Sequence, residues 1–379
     1  MKPVVVHLIT PYLFHTGSWI YSQLTGIKSF RNVVYTQKKE NLDLFPFEDL
    51  YSAEDFNFLK KNINRIYKRF SGNFGLFFTE KSAELKPRFF HAHMGYEAVR
   101  WLSFVKKKRL PLLTTFYGLD VSKLGRIPKW RKQYCRLFDY GTIFLAEGSY
   151  LKKQLVELGC PAEKVKIQHL GVPANITAKN YRMGSGSPKI VILQVSTFRE
   201  KKGIEYSLKA ISKVVSEYQD IEFRLIGSGD TPDADRAIVS IIDSLGIKGC
   251  VTLLGIKSHS ETIEEMLNAD VFLHPSVTAS DGDNEGGAPV SVIEASAVGL
   301  PVVSTFHADI PEVVLNNKTG YLVGERDSDE LARKLLALIK SPADRVALGT
   351  EGRKHILSEY NLAAQIEKLE ETYRHLMNE

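Results

Sequence analysis

The sequence predicts an α/β protein made of two doubly wound, parallel-sheet domains in tandem, and three observations predict it. The chain has 379 residues, more than one hydrophobic core usually supports. Apolar runs of strand length alternate with helical patterns almost throughout, as in parallel sheets with crossover helices. Near the middle, Pro173 to Pro188 holds Gly184, Ser185, Gly186 and Ser187 with almost no large apolar residue, which is linker chemistry. The expected division is a first domain over 1–175, a second over 189–358, and a helix over 359–379 that packs back on the first.

In order, strands are expected at Val4 to Thr10, Phe89 to Ala92, Leu112 to Phe116 and Thr142 to Ala146. A second series runs Ile190 to Val195, Glu222 to Ile226, Val251 to Leu254, Val271 to His274 and Pro301 to Ser304. The opening run of Val4, Val5 and Val6 returns to polar residues at Thr10 without a small-residue cleavage site, so it reads as a buried strand and not a signal peptide. At the other end, Ile366, Leu369, Tyr373 and Leu376 recur at helical spacing, which gives that helix one face to bury.

With 44% hydrophobic and 25% charged residues, the composition is that of an ordinary globular protein. No apolar run approaches the roughly 20 residues that cross a bilayer. Cys135, Cys160 and Cys250 are scattered and odd in number, which argues against disulfides or structural zinc and for a reducing cytoplasm. The charge is uneven: 29 basic against 14 acidic residues over 1–180, and 21 against 30 over 181–379. The first half is therefore expected to face something anionic. Lys60, Lys61, Arg65, Lys68 and Arg69, interleaved with Phe58, Ile63, Ile66, Tyr67 and Phe70, form a basic amphipathic pattern suited to an anionic leaflet. Lys106 to Arg109 and Arg126 to Lys132 add to it. No nucleic-acid-binding module is present, so nucleic acid is not the expected partner.

Ligands of open parallel sheets bind beyond the carboxyl ends of the strands. After Val271 to His274 the chain runs to Glu285, Gly286, Gly287, Ala288 and Pro289, then into a helical pattern from Val290. Glycines at a helix start leave backbone N–H groups and the positive helix end free for a diphosphate. Glu285 and Glu294 would be repelled by phosphate, so they suit neutral hydroxyls: the transferred sugar for Glu285 and a ribose for Glu294.

This stretch, Asp281 to Ser304, resembles the donor-binding signature of retaining glycosyltransferase family 4, which includes bacterial polysaccharide and lipid-carrier glycosyltransferases. His307 to Val314 and Gly320 to Val323 match too. The resemblance implies the type B fold, with two Rossmann-like domains and an active site in the cleft between them. It also implies a UDP- or GDP-linked sugar donor, no metal, a saccharide or lipid-linked acceptor, and a place in the cytoplasm or on the inner leaflet. The family usually has seven residues between its paired glutamates; here there are eight, one extra small residue standing before Pro289.

Ser196 to Gly203 resembles the segment whose cations stabilise the departing diphosphate. Lys202 matches by position; Thr197 occupies the usual arginine place, and Arg199 is the substitute. Gly227, in Leu225 to Asp230, resembles the glycine-rich turn near the nucleotide, and Ile256 the loop that meets the base. In the first half, His91-Ala-His93 resembles the cleft-floor segment; as a metal pair it lacks an evident carboxylate or cysteine partner. Tyr117 stands where the family more often has histidine, and a phenol is a poor base near neutral pH. Asp120 suits either orientation of the acceptor or a helix N-cap. Thr16, Gly17 and Ser18 match the loop that approaches the donor. The resemblance implies retention by front-face attack, with the leaving oxygen assisting deprotonation. The alternatives are a small-molecule glycosyltransferase or sugar-nucleotide epimerase of the same fold, or a non-catalytic sugar-nucleotide-binding partner.

Overall fold

The computed structural model describes residues 2–15, 17–173, 176 and 189–378. Thr16 and nearly all of the expected linker lie outside the described residues. The chain forms two compact units, Met1–Gly171 with Leu362–Glu379, and Val172–Asn361.

The first unit is a seven-stranded parallel sheet of β1 (Val4–Leu8), β2 (Arg31–Thr36), β3 (Leu50–Ser52), β4 (Phe89–His93), β5 (Leu112–Thr115), β6 (Ile143–Ala146) and β7 (Val165–Ile167). The order is β3-β2-β1-β4-β5-β6-β7. Its helices are α1 (Ser18–Gly26), α2 (Phe58–Ser71), α3 (Thr79–Leu85), α4 (Gly95–Lys108), α5 (Leu119–Ser122), α6 (Pro128–Tyr140) and α7 (Ser149–Glu157). β1, β4, β5 and β6 are buried along their whole length. Strands covered on both faces read as continuous apolar runs, which is why the sequence reveals these four. β2 opens on exposed Arg31, and β7 is short and carries Lys166; neither announces itself.

The second unit has six parallel strands: β8 (Ile190–Val195), β9 (Ile221–Ile226), β10 (Val251–Gly255), β11 (Val271–His274), β12 (Val302–Thr305) and β13 (Gly320–Val323). Their order is β10-β9-β8-β11-β12-β13. The helices are α8 (Ile204–Glu217), α9 (Pro232–Ser244), α10 (His259–Leu267), α11 (Val290–Val298), α12 (Ile310–Val313), α13 (Ser328–Lys340) and α14 (Pro342–Glu359). In each sheet the strand order reverses once, between β1 and β4 and between β8 and β11, and the crevice outside such a reversal is where doubly wound sheets hold ligands.

The last helix, α15 (Leu362–Asn378), returns to the first unit. Leu369, Tyr373 and Leu376 are buried with Val5, Phe89 and Leu113. The Glu370 carboxylate accepts the N–H groups of Lys28 and Ser29, each at 2.8 Å, and the Ser29 hydroxyl. Among the described residues no helix is long and apolar enough to cross a membrane.

Candidate active site

In the second unit the loops after β8 and β11 meet at the strand-order reversal. β8 passes through Ser196 to Arg199 into one 3-10 turn, Glu200–Lys202, and α8 begins after Gly203. Gly203 has φ +63°, and a Cβ there would stand 1.8 Å from the Pro275 carbonyl oxygen of the β11 loop. Only glycine lets the two backbones approach so closely.

That approach assembles a charge cluster. The Lys202 ammonium donates to Glu285 at 2.7 Å, and the Ser276 hydroxyl donates to the other carboxylate oxygen at 2.8 Å. Both charged side chains are withdrawn from water, 16% and 6% exposed. Burial pushes the Glu285 carboxyl up, but Lys202, His274 and Lys201 together hold it well below its usual value. Burial lowers Lys202 in spite of Glu285. Lys201, which the sequence reading passed over, joins the cluster: its ammonium reaches Asp283 at 3.2 Å and the Asn284 carbonyl at 3.0 Å. Arg199 is not brought there. Its backbone is extended and its guanidinium pairs with exposed Asp230 at 2.7 Å, so the second cation beside Lys202 is Lys201.

His307 fixes the backbone of Glu285. The Glu285 N–H donates to His307 Nε2 at 3.2 Å, so the proton sits on Nδ1 and bonds to Glu325 at 2.7 Å. Beneath Glu285, the fully buried His274 imidazole lies 3.7 Å from the carboxylate, with no hydrogen-bond partner on either nitrogen. A buried polar group left unpaired is a cost that functional sites tolerate.

The helix start differs in one respect from expectation. The Gly286 N–H is not free; it donates to the Asn284 side chain at 2.9 Å. Pro289 occupies the N-cap of α11 and no side chain caps it. Among the described residues the amides of Gly287, Ala288, Val290 and Ser291 make no hydrogen bond, which leaves four donors at this helix start. Glu294, in the second turn of α11, is buried and accepts from His259 Nε2 at 2.8 Å. His259 opens α10 just beyond the exposed Ile256 loop, and the sequence reading missed it because 35 residues separate the pair. Thr197 is half-buried in the β8 loop. Gly227 donates its N–H to the Gly255 carbonyl at 2.8 Å and packs on the Ser196 carbonyl.

The bond to Glu294 raises the His259 pKa against burial. A raised folded-state pKa adds stability below the ordinary histidine value, and that stability is lost as pH rises through the raised value. Because His259 is half exposed, the effect is expected at ~0.5–1 kcal/mol or less. Calorimetry between about pH 6 and pH 8 should show a falling Tm in the wild type that His259→Gln flattens.

The first unit holds a different network. His7 on β1 lies beside His91 and His93 on β4, their ligating nitrogens within 4.8 Å of one another; His7 is the neighbour that the His-x-His segment lacks in sequence. The Asn32 amide donates to the carbonyls of Leu24 and Ile27, leaving its oxygen to accept from His7 Nε2 at 3.2 Å. His7 Nδ1 therefore accepts from His93 Nε2 at 3.1 Å, and His93 Nδ1 accepts from the Tyr117 hydroxyl at 2.8 Å. Burial drives His7 down to about 4 and His93 well below its usual value, so both rings are neutral. His91 bonds Tyr373 and Thr115 and stacks on His93 with centroids 4.2 Å apart. His7 and His93 thus form a hydrogen-bond relay ending on Tyr117. Burial also raises the Tyr117 phenol well above its usual value.

Asp120 is not the N-cap that its spacing allowed. Gly118 holds that position, and Asp120 is the second residue of α5. Its buried carboxylate accepts from the amides of Gly95 at 2.8 Å and Gly118 at 2.9 Å, tying the β4 and β5 loops together. Gly17 is the N-cap of α1, at the end of the β1 loop.

The pattern described as "Glycosyl transferases group 1" matches residues 178–355. The amylovoran biosynthesis glycosyltransferase AmsK of Erwinia amylovora is 34% identical over 277 residues, 72% of this chain and 66% of that protein. The putative colanic acid biosynthesis glycosyltransferase WcaL of Escherichia coli is 33% identical over 68% of this chain and 63% of its own length. The chain thus spans somewhat under two thirds of these two relatives. The Salmonella typhimurium WcaL is 31% identical over 73% of this chain and 67% of that protein. Among solved structures, HepE of Anabaena in complex with UDP and glucose superposes with a TM-score of 0.81 at 15% identity, covering 99% of this chain and 100% of that one. Sucrose-phosphate synthase of Thermosynechococcus elongatus gives 0.79 at 16%, covering all of both chains. These likenesses establish the type B glycosyltransferase fold, with its two Rossmann-like domains. The matched pattern and the relatives in sequence establish that the chain belongs to the group 1 glycosyl transferases.

Proposed function

We propose that this protein transfers a hexose from a UDP- or GDP-linked sugar to a saccharide acceptor carried on a lipid, during assembly of a bacterial cell-surface polysaccharide at the cytoplasmic leaflet. The observation that carries the reading is the meeting of Lys201 and Lys202 with the uncapped start of α11 at one strand-order reversal. Two fixed cations and four unpaired amides suit a diphosphate that gains charge as its bond to the anomeric carbon breaks. Lysines in this place supply the charge that a divalent ion supplies elsewhere, which favours a metal-independent reaction. The relatives AmsK and WcaL are named for amylovoran and colanic acid biosynthesis, which favours a polysaccharide product.

Retention of anomeric configuration is part of this reading, and the chemistry of the first unit's residues favours it. The Tyr117 phenol is raised, His7 and His93 are neutral links in a relay, and Asp120 is committed to backbone amides. None is poised to take a proton. The acceptor oxygen attacks the face from which the diphosphate departs, and its proton passes to the leaving phosphate oxygen. Positioning and electrostatics then carry the reaction.

In this reading Glu294 accepts from the ribose hydroxyls of the donor. Glu294→Ala is expected to weaken binding of UDP or GDP roughly ten- to a hundredfold, the worth of a hydrogen bond to a charged group, as read by calorimetric titration. Unchanged affinity overturns the ribose assignment. Radiolabelled sugar release from a panel of UDP and GDP donors, with and without membrane lipid extract, tests the reaction itself. Tight nucleotide binding without release under any condition points to a non-catalytic partner.

A further inference from the structure

α2 carries its amphipathicity turned outward. Leu59, Ile63, Ile66 and Phe70 follow one another at steps of four, three and four residues, so they share one stripe of the helix. That stripe faces solvent, its members 42% to 84% exposed. The side of α2 that docks on the unit is polar instead: Asn64 is buried and its amide donates to the Gln37 side chain at 2.9 Å. The helix is firmly terminated, since Asn57 caps its start and Gly72, in the left-handed region, closes its end. A well-formed helix anchored by its polar side leaves its apolar ridge for another occupant.

The charges select that occupant. Lys61, Arg65 and Arg69 are exposed beside the ridge, and the helix contains no acidic residue. Two copies packed ridge to ridge would set these cations against one another with no acidic residue of the helix to neutralise them. The loop that follows bonds to α4, through the Phe74 N–H to the Arg100 carbonyl at 2.7 Å and Ser103 to Asn73 at 3.1 Å. α4 itself ends on Lys106, Lys107 and Lys108. An apolar stripe flanked by cations on a short helix matches an anionic phospholipid surface, with the stripe at the acyl boundary and the cations among the headgroups.

We propose that α2 is a docking element that lies in the plane of an anionic bilayer. Its purpose rests on the proposed transfer to a lipid-linked acceptor, but the docking is measurable with neither donor nor acceptor present. The test is co-sedimentation of the full chain with vesicles of phosphatidylcholine alone and of phosphatidylcholine mixed with phosphatidylglycerol. The wild type is expected to partition at least about tenfold better onto the anionic vesicles. The double variant Ile66→Glu and Phe70→Glu should lose that binding, with its thermal unfolding and nucleotide affinity unchanged because both residues are exposed. Arg65→Gln with Arg69→Gln should lose the preference for anionic lipid and its salt dependence. Equal binding to both vesicles, or binding indifferent to these variants, overturns the proposal. So does a self-associating protein whose dimer, and not vesicle binding, is abolished by the glutamates. Vesicle binding without sugar transfer would leave α2 as a docking element and overturn only the reaction.

Discussion

Lys202→Met is expected to cost about 3–5 kcal/mol of stability and to lower turnover about 10²- to 10³-fold. The stability loss comes from Glu285, not from the lysine itself. Its carboxylate is buried and accepts from Lys202 at 2.7 Å, and without that cation only Ser276 still bonds to it. In the wild type, Lys202 and its neighbours hold Glu285 below its ordinary value. The pair therefore stabilises the fold above the ordinary carboxylate range and loses that contribution as pH falls through the depressed value. In the variant burial acts with its chief opponent gone, so the Glu285 pKa rises and the contribution is lost at a higher pH than in the wild type. Denaturant unfolding of both proteins across the acid range checks this. Adding Glu285→Gln to Lys202→Met should restore much of the stability and none of the turnover. A single variant as stable as wild type at neutral pH would mean the carboxylate is not held as described.

Gly203→Ala is expected to destabilise by about 2–4 kcal/mol and to weaken nucleotide binding with it. Part is the left-handed backbone, which costs an alanine ~1–2 kcal/mol. The rest is the new methyl, 1.8 Å from the Pro275 carbonyl, which forces the β8 loop from the β11 loop and carries Lys201 and Lys202 away from Asp283 and Glu285. Gly246→Ala separates the two contributions. Gly246 has φ +66°, but nothing lies within 4 Å of its Cβ position, so it meets only the backbone cost and leaves binding intact. If both variants unfold alike, the close approach of the two loops contributes nothing.

The fold was legible because buried parallel strands leave long apolar runs, and because the helix starts that matter carry glycine, proline or acid at fixed places. The edge strands β3 and β7 were not, being three residues each. The places of Lys202, Glu285 and Glu294 in the fold were legible because each follows a strand that could be read, while the roles expected of them came with the family resemblance. What could not be read is pairing across distance. Nothing local in the sequence says that Arg199 turns out to Asp230 while Lys201 turns in to Asp283. His7 stands 86 residues before His93, and only the pairing of β1 with β4 makes them neighbours. The Gly286 amide looked available because the Asn284 side chain that occupies it is invisible until the loop is folded.

The return of α15 to the first unit sets an order on synthesis. The sheet of β1 to β7 leaves the ribosome early, but Leu369, Tyr373 and Leu376, which cover Val5, Phe89 and Leu113, are made after the whole second unit. Until then one apolar side of the nascent sheet stays uncovered, and such surface invites association with other chains. The second unit, continuous in the chain, can close first, so the half that is translated last is the one able to mature without waiting.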